Sequence, residues 1–293
     1  MAEYCLSCCS TVDLTKEYLE KRELRYICFH YELDGRQFVD DLWNSNTPQE
    51  LYRMMEEGAE AKTSQVNVSE YTAYFEEMLK QGKDILHVTL SSGITGTVNS
   101  ARIAKEELEE RYPDRKIYVV DSLAASSGYG LLMDKLADLR DQGMDIDSLY
   151  HWTEEHKLEM HHWFFSTDLT YYIKGGRISK TAGFVGNVLN ICPLLNVDMD
   201  GRLTLREKVR GKKKVRERMV AKVMEHISGG TDYAEKCFLC HSLCEEDAHK
   251  VAESLQEKCP KMQIEIYPIG ATIGCHTGPG TVAVFFWGDK RED

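Results

Sequence analysis

The chain has 293 residues, of which 42% are hydrophobic and 29% charged, as is typical of a globular protein with one large or two medium domains. Its net charge of −12 argues against a nucleic-acid-binding protein, since phosphates attract basic surfaces. No apolar stretch reaches the roughly 18 residues of a membrane span and the first residues do not resemble a signal peptide, so we expect a cytoplasmic protein without an integral membrane segment.

The first half of the chain alternates short apolar runs with amphipathic helical patterns. Strands are predicted at residues 3–7, 25–33, 85–90 and 116–120, with a turn at Asp34-Gly35 after the second. Helices are predicted at residues 13–21, from Thr47-Pro48, from about residue 68 to Gly82, at 98–108 and at 131–139. This alternation predicts an N-terminal α/β domain over residues 1–158, with a mostly parallel sheet flanked by helices.

The pattern changes after about residue 160. A strand is predicted at 161–166 and a helical stretch at 180–190. Strands 191–197 and 203–209 flank Asp200-Gly201, which predicts an antiparallel hairpin. Helices at 212–226 and 245–257 then alternate with strands at 237–240, 263–267 and 282–286. We therefore predict a second α/β domain with hairpin character over residues 159–293.

The loop after the strand at 85–90 is rich in hydroxyls and glycines. It reads Ser91-Ser92-Gly93-Ile94-Thr95-Gly96-Thr97 and precedes a helix. Helix N-termini favour anions, and open α/β sheets bind ligands at the carboxyl ends of their strands. The loop therefore predicts an anion site, with a simple capped helix start as the alternative.

Three further segments combine glycines with polar residues. Segment 121–130 carries Ser126 and either extends the same pocket or packs a helix closely against a strand. Segment 174–179 carries Arg177, which can pair with a carboxylate or phosphate or lie at the surface. Segment 273–280 surrounds His276, which can donate a hydrogen bond to an anion or move a proton near neutral pH.

A basic run stands out in this acidic chain. It contains Arg206, Lys208, Arg210, Lys212, Lys213, Lys214, Arg216 and Arg218. Such a run is usually a solvated helix face, and it is also a candidate docking patch for an acidic partner.

The ten cysteines favour structural thiols over a metal or haem site. A cytosolic compartment keeps thiols reduced. The Cys237/Cys240/Cys244 group has no second pair of ligands at suitable spacing for zinc. We predict no metal and no cofactor.

An enzyme is the alternative to a binding protein. An acyl or phosphoryl transferase or an esterase would use Ser92 and His276. The chain lacks the Gly-x-Ser-x-Gly elbow of one hydrolase class, and clustered hydroxyls suit the coordination of an oxyanion better than the selection of one nucleophile.

The glycine-rich segments, in this order, resemble the DegV family of bacterial fatty-acid-binding proteins. One departure is Cys9, where the family has an aspartate in the motif Asp-Ser-Thr-x-Asp-Leu. The matching residues are Lys62-Thr63-Ser64-Gln65, 91–97, Asp121-Ser122 with Ser126, Gly128 and Gly130, 172–178, 207–210 and 273–280.

The resemblance implies a carrier without catalytic activity of its own. A long-chain fatty acid would lie between two α/β domains, and a separate ATP-dependent fatty acid kinase would convert it to an acyl-phosphate for phospholipid synthesis. The head group would be held by Thr63, Ser64, Ser92 and His276, with support from Ser91, Ser126 and Thr277. The kinase would face Arg177, Lys208, Arg210 and Lys212. Candidate tail-lining residues are Phe184, Val185, Val188, Leu189, Ile191 and Leu194.

Overall fold

The structure, a computed structural model, describes residues 4–179 and 190–292. Over these residues the chain forms thirteen strands in three sheets. The strands are β1 Tyr4–Cys9, β2 Leu24–Ile27, β3 His30–Leu33, β4 Arg36–Val39, β5 Ala61–Ser64, β6 Asp84–Thr89, β7 Ile117–Asp121, β8 Met160–Ser166, β9 Ile191–Val197, β10 Leu203–Arg210, β11 Lys236–His241, β12 Gln263–Pro268 and β13 Thr281–Trp287.

Ten α-helices accompany the strands in the described part of the chain. They are α1 Lys16–Lys21, α2 Pro48–Glu56, α3 Val68–Lys80, α4 Thr97–Arg111, α5 Ser126–Asp141, α6 Ile146–His156, α7 Thr170–Lys174, α8 Lys212–His226, α9 Glu245–Lys258 and α10 Ala271–Thr277. None of them combines the length and the apolar character needed to cross a membrane.

The first sheet is parallel throughout, as predicted. Its strand order is β2-β1-β6-β7. Helices α3 and α4 pack on one face, while α5 and α6 pack on the other. Because parallel strands need crossover connections, covering both faces with helices is the expected result.

The second large sheet has the order β10-β9-β8-β13-β11-β12 and is mixed. Only β11 and β12 pair in parallel, and the predicted hairpin is confirmed as β9 and β10. Helices α8 and α9 contact this sheet, and so does α5 from the first half of the chain. The mixed α/β fold class predicted from the sequence is therefore confirmed.

Helix α5 joins the two sheets. Twelve of its sixteen residues are buried, because it packs against β1 and also against β8, β11 and β13. Gly128 permits this approach, since a Cβ there would lie 2.5 Å from His162 Nε2. The predicted start of this helix at residue 131 was wrong, because α5 already begins at Ser126.

A small antiparallel sheet, with order β4-β3-β5, was not predicted. The predicted strand 25–33 is two strands in different sheets, β2 and β3. The Asp34-Gly35 turn is confirmed between β3 and β4, with positive φ at both residues. Residues 62–64 belong to β5, where Thr63 pairs with Tyr31.

One continuous hydrophobic core includes residues of both halves, such as Leu86 of β6 and Val284 of β13. The domain boundary at residues 158/159 stays a prediction. It falls just before β8, the first strand of the mixed sheet.

Candidate functional site

An apolar cavity lies between the mixed sheet and elements from both halves of the chain. The surface that the described residues expose to its lumen is almost entirely apolar. It is formed by Ile94, Ala125, Ser126, His162, Phe164, Tyr172, Arg177, Val197, Leu203, Cys240, Ile269, Ile273, His276, Thr277, Thr281, Ala283 and Phe285.

Strand pairing explains the floor of this cavity. Alternate residues of a strand point to the same face, so Thr281, Ala283 and Phe285 of β13 share one side of the sheet. In the neighbouring β8, Phe164 pairs with Ala283 and His162 pairs with Phe285. From Thr281 to Phe285 the floor extends about 13 Å at the usual rise of a strand.

Two polar clefts meet the cavity at one end. The first, of about 700 Å³, is lined by Thr63, Ser64, Gln65 and Thr95 among others. The second, of about 1,300 Å³, includes Lys174 and other residues near the turn that follows α7. Among the described residues, only His276 and Arg177 line the cavity and both clefts. These two side chains therefore mark the junction of apolar and polar space.

His276 is fixed by the short helix α10 and by Thr63 of β5. Its Nε2 lies 2.7 Å from Thr63 Oγ1. Gly175 lets the chain pass close to the ring, since a Cβ there would lie 2.2 Å from His276 Nδ1. Burial, and secondarily Arg177, lowers the pKa of His276 to about 3. The imidazole is therefore neutral at physiological pH.

Arg177 is folded back toward the same junction. Its Nη1 donates to the carbonyl oxygen of Gly175 at 2.6 Å, and Gly176, with φ +72°, provides the preceding turn. Burial lowers the pKa of Arg177. The resemblance implies a docking role for Arg177 together with the basic run, whereas the structure places this residue in the wall of the cavity.

Two buried side-chain nitrogens at this junction lack a hydrogen-bond partner. They are Arg177 Nε and His276 Nδ1. No other residue of the cavity wall, as far as the chain is described, has a buried side-chain nitrogen or oxygen in this condition. Buried polar groups without partners are rare in proteins and call for a ligand or water.

The other predicted head-group residues fall into two groups. Thr63 and Ser64 line the polar cleft, while Ser126 and Thr277 line the apolar cavity. Ser91 and Ser92, in contrast, do not line the cavity or either cleft as far as these are described.

The hydroxyl of Ser91 forms a hydrogen bond between the two halves of the chain. Ser91 Oγ donates to the carbonyl oxygen of Gly201 at 2.7 Å, where the β9–β10 turn meets the loop. Ser92 is exposed, and its backbone N–H donates to Asp121 Oδ1 at 3.1 Å. From this loop the hydroxyl that lines the polar cleft is that of Thr95, which donates to Gln65 Oε1 at 2.9 Å. Thr95 belongs to the predicted anion-binding loop, but no sequence feature distinguishes it from the other hydroxyl residues there.

The basic residues lie on β10 and at the start of α8. Lys208, Arg210 and Lys212 are exposed. Lys212 Nζ lies 3.1 Å from Asp247 Oδ2, so part of its charge is compensated within the protein. Their docking role stays a prediction.

Only two of the six predicted tail-lining residues can be compared with the wall. Phe184, Val185, Val188 and Leu189 lie outside the described residues. Ile191 and Leu194 are described but do not line the cavity. The β9 residue in the wall is Val197, and Leu194, three positions away, points to the opposite face.

Cys9, the departure from the DegV pattern, lies in a buried polar network. Its Sγ is 3.3 Å from Tyr71 Oη and 3.9 Å from His87 Nε2. Tyr71 Oη in turn lies 2.9 Å from Thr97 Oγ1 at the start of α4. Burial raises the pKa of Cys9 to about 11, so the thiol is neutral. The network at this strand end is retained without a carboxylate.

One group of described side chains has the donor set of a transition-metal site. His161, His226 and Asp289 offer ligand atoms within 4.8 Å of one another. Asp289 Oδ1 lies 3.0 Å from His161 Nε2 and 3.1 Å from His226 Nδ1, distances that hydrogen bonds also satisfy. The surrounding cleft is lined by two further carboxylates, Glu225 and Glu292, and by four cationic side chains, Arg206, Lys222, Lys290 and Arg291. Its positive charges therefore outnumber its carboxylates, which disfavours a dication.

Comparison with known proteins identifies similar chains across the full length. A family model described as "Uncharacterised protein, DegV family" matches residues 9–289. A DegV domain-containing protein of Clostridium perfringens is 39% identical over 283 residues, which is 97% of each chain.

Two solved structures have the same fold. One, described as fatty acid binding of a DegV family protein from Thermus thermophilus, is 27% identical, has a TM-score of 0.86, and is aligned over 97% of this chain and 99% of that one. The other is the fatty acid kinase (Fak) B3 protein of Streptococcus pneumoniae loaded with linoleic acid. It is 24% identical, has a TM-score of 0.85, and is aligned over 99% and 100% of the two chains.

Proposed function

Because the chain belongs to the DegV family, we propose that it is a carrier that binds one long-chain fatty acid between its two halves. The acyl tail occupies the apolar cavity along Ala283 and Phe285. The carboxylate lies at the junction of the cavity and the polar clefts. The fatty acids bound by the Thermus thermophilus and Streptococcus pneumoniae proteins support this ligand class.

The observation that carries the proposal is the position of the two unpartnered nitrogens. Arg177 Nε and His276 Nδ1 lie at one end of a wall whose other polar side chains are paired. A ligand that is apolar along its length and anionic at one end matches this distribution. A buried carboxylate must be hydrogen-bonded, so its oxygens belong at these nitrogens.

The tautomer of His276 follows from the same geometry. If Nδ1 donates to the carboxylate, Nε2 accepts, and the hydroxyl of Thr63 is its donor at 2.7 Å. A neutral imidazole then serves as a donor, and the positive charge opposite the carboxylate comes from Arg177. Each methylene buried in the cavity adds about 0.8 kcal/mol of binding free energy, so the tail supplies most of the affinity.

Presentation of the carboxylate to a second protein is consistent with the open cleft. His276 and Arg177 line this cleft as well as the cavity, so the head group lies next to solvent-accessible space. We infer that a fatty acid kinase reaches the carboxylate from this side and transfers a phosphoryl group to it. The exposed residues Lys208, Arg210 and Lys212 are the proposed docking residues.

An esterase that uses Ser92 and His276 has no specific support. Ser92 is exposed and lines none of the described spaces that His276 lines. A nucleophilic serine must lie within hydrogen-bond reach of its base. We therefore propose binding without catalysis.

The proposal is tested by extracting the purified protein with organic solvent and analysing the extract by mass spectrometry. We expect a long-chain fatty acid at close to one molecule per chain. Addition of ATP and a fatty acid kinase should convert it to an acyl-phosphate. Absence of any bound acid after incubation with stearate, or turnover of an acyl ester that Ser92→Ala abolishes, would contradict the carrier.

A further inference from the structure

The wall of the apolar cavity contains more polar side chains than its apolar surface suggests. Ser126, His162, Tyr172, Thr277 and Thr281 all line it. The described residues nevertheless expose almost no polar surface to the lumen. The polar atoms must therefore be turned away, and the structure contains their partners.

Asp13 is the main partner of Ser126. Ser126 Oγ donates to Asp13 Oδ2 at 2.5 Å, and both side chains are buried. Ser126 Oγ also lies 3.3 Å from Cys240 Sγ. Asp13 itself does not line the described cavity. Ser126 also has a positive φ of 54°, a backbone conformation that few residues other than glycine adopt. The hydroxyl is thus held behind the wall, at the start of α5.

Apart from Arg177 and His276 at the junction with the clefts, the other polar side chains named above are paired in the same way. Tyr172 Oη and Thr281 Oγ1 bond each other at 3.0 Å, and Thr277 Oγ1 donates to the carbonyl oxygen of Gly278 at 3.3 Å. His162 Nε2 accepts the backbone N–H of Ala125 at 3.2 Å. Its Nδ1 therefore carries the proton and donates to the carbonyl oxygen of Met160 at 3.2 Å.

We infer that this carrier selects acyl chains with unsubstituted hydrocarbon tails and rejects chains with a hydroxyl or a second carboxylate beyond the head-group end. Asp13 acts as a specificity-determining residue because it removes the Ser126 hydroxyl from the lumen. The inference rests on the proposed function. A polar group on the tail would lose its water in the cavity and find no protein partner.

The size of the effect follows from the cost of burying an unpaired hydroxyl. An apolar site rejects a ligand with one added hydroxyl by about tenfold to a hundredfold. A second carboxylate is rejected more strongly, because a charge costs more to bury than a hydroxyl. A hydroxyl on the carbon next to the carboxylate is tolerated, since Thr63 and Thr95 lie in the adjoining polar cleft.

The test is displacement of a fluorescent fatty acid from the full-length protein by four competitors. These are stearate, stearate with a hydroxyl in mid-chain, stearate with a hydroxyl next to the carboxylate, and the dicarboxylic acid of the same length. We expect the mid-chain hydroxyl to weaken binding by about tenfold to a hundredfold relative to stearate. Equal affinity for these two acids overturns the inference, whereas failure of all four to bind contradicts the carrier itself.

Variants at Asp13 test the assigned mechanism. Asp13→Ala leaves the Ser126 hydroxyl with only the weak contact to Cys240 Sγ. The hydroxyl can then turn to the lumen, so the preference for stearate over the mid-chain hydroxy acid should fall. Asp13→Asn keeps an acceptor for Ser126, and Ser126→Ala has no hydroxyl, so both should retain the preference. An unchanged preference in folded Asp13→Ala would rule out this role of Asp13.

A further variant, at Ala283, tests the inference even if Asp13→Ala does not fold. Ala283 lies in the cavity floor on β13, and Ala283→Ser adds one hydroxyl at small cost in volume. It should narrow the gap between stearate and the mid-chain hydroxy acid. If the ratio of the two affinities does not change in Ala283→Ser, the lack of polar groups in the wall is not what selects the ligand.

Discussion

Thr63 and His276 are 213 residues apart in the sequence, and their side chains share a hydrogen bond of 2.7 Å. One residue lies on the small antiparallel sheet and the other on the last short helix. The bond fixes the imidazole at the end of the apolar cavity, where its second nitrogen has no partner. This is the relationship on which the proposed head-group site depends.

Loss of the Thr63 hydroxyl should weaken fatty acid binding. Thr63→Val removes the donor to His276 Nε2 at nearly constant volume, and we expect a two- to tenfold lower affinity for stearate, since a hydrogen bond contributes about 0.5–1.5 kcal/mol. Fluorescence displacement measures this. The control is Thr72→Val, whose hydroxyl bonds the carbonyl oxygen of Val68 on α3. Equal affinities for Thr63→Val and wild type would exclude Thr63 from the head-group site.

Arg177 should affect binding of the lipid itself. Arg177 lines the cavity and has a buried, unpartnered Nε, so Arg177→Gln removes the positive charge proposed to lie opposite the carboxylate. We expect about ten- to a hundredfold weaker binding, because hydrogen bonds to charged groups contribute about 1.5–3 kcal/mol.

The control for this prediction comes from the exposed basic residues. Lys208→Gln should bind stearate as wild type does and lose rate only in the kinase reaction. The docking interpretation from the sequence would be restored if Arg177→Gln bound stearate normally and lost only acyl-phosphate formation.

Two hydroxyls of one loop should behave differently. Thr95 lines the polar cleft, whereas Ser92 is exposed away from it. We expect Thr95→Val to lower stearate affinity severalfold and Ser92→Ala to leave it unchanged, as measured by isothermal titration calorimetry. A loss of stearate affinity in Ser92→Ala but not in Thr95→Val would instead assign the head-group contact to Ser92, as predicted from the sequence.

His276 should make the protein less stable as the pH falls. Burial lowers its pKa to about 3 in the folded state, while an unfolded histidine has a pKa near 6.5. Between these values the unfolded chain binds a proton that the folded chain does not, so the free energy of unfolding decreases with falling pH. The loss from this one group is at most about 1.4 kcal/mol per pH unit.

A comparison with His276→Gln isolates this contribution. Asp13 and Asp40, whose pKa values burial raises, act in the opposite direction but do so in both proteins. Urea unfolding at several pH values should give a stability difference between wild type and variant that is constant above about pH 7 and shifts in favour of the variant below pH 6.5. A difference independent of pH would mean that His276 titrates normally.

The sequence predicted most of the fold because its hydrophobic periodicity is clear. The parallel sheet, the hairpin around Asp200-Gly201 and helix α8 at Lys212–His226 were all predicted. The division of residues 25–33 into β2 and β3 was not predicted, because a single apolar run does not reveal that its two ends pair in different sheets. The start of α5 at Ser126 was missed because Gly128 and Gly130 resemble loop residues until the close packing around them is known.

The candidate site was predicted in part for a related reason. His276, Thr63 and Ser64 were named from glycine-rich and hydroxyl-rich segments, and all three line the polar cleft. Which hydroxyl of the loop faces that cleft depends on the β9–β10 turn, whose Gly201 carbonyl engages Ser91. Contacts between segments more than a hundred residues apart leave no local pattern. The same holds for Asp13, which hides the hydroxyl of Ser126.

The most direct measurement is a crystal structure of the protein with stearate. It should place the carboxylate oxygens within about 2.7–3.2 Å of His276 Nδ1 and Arg177 Nε, with the tail along Ala283 and Phe285. A carboxylate bound elsewhere, or a tail outside the cavity with these two nitrogens still unpaired, would contradict the account.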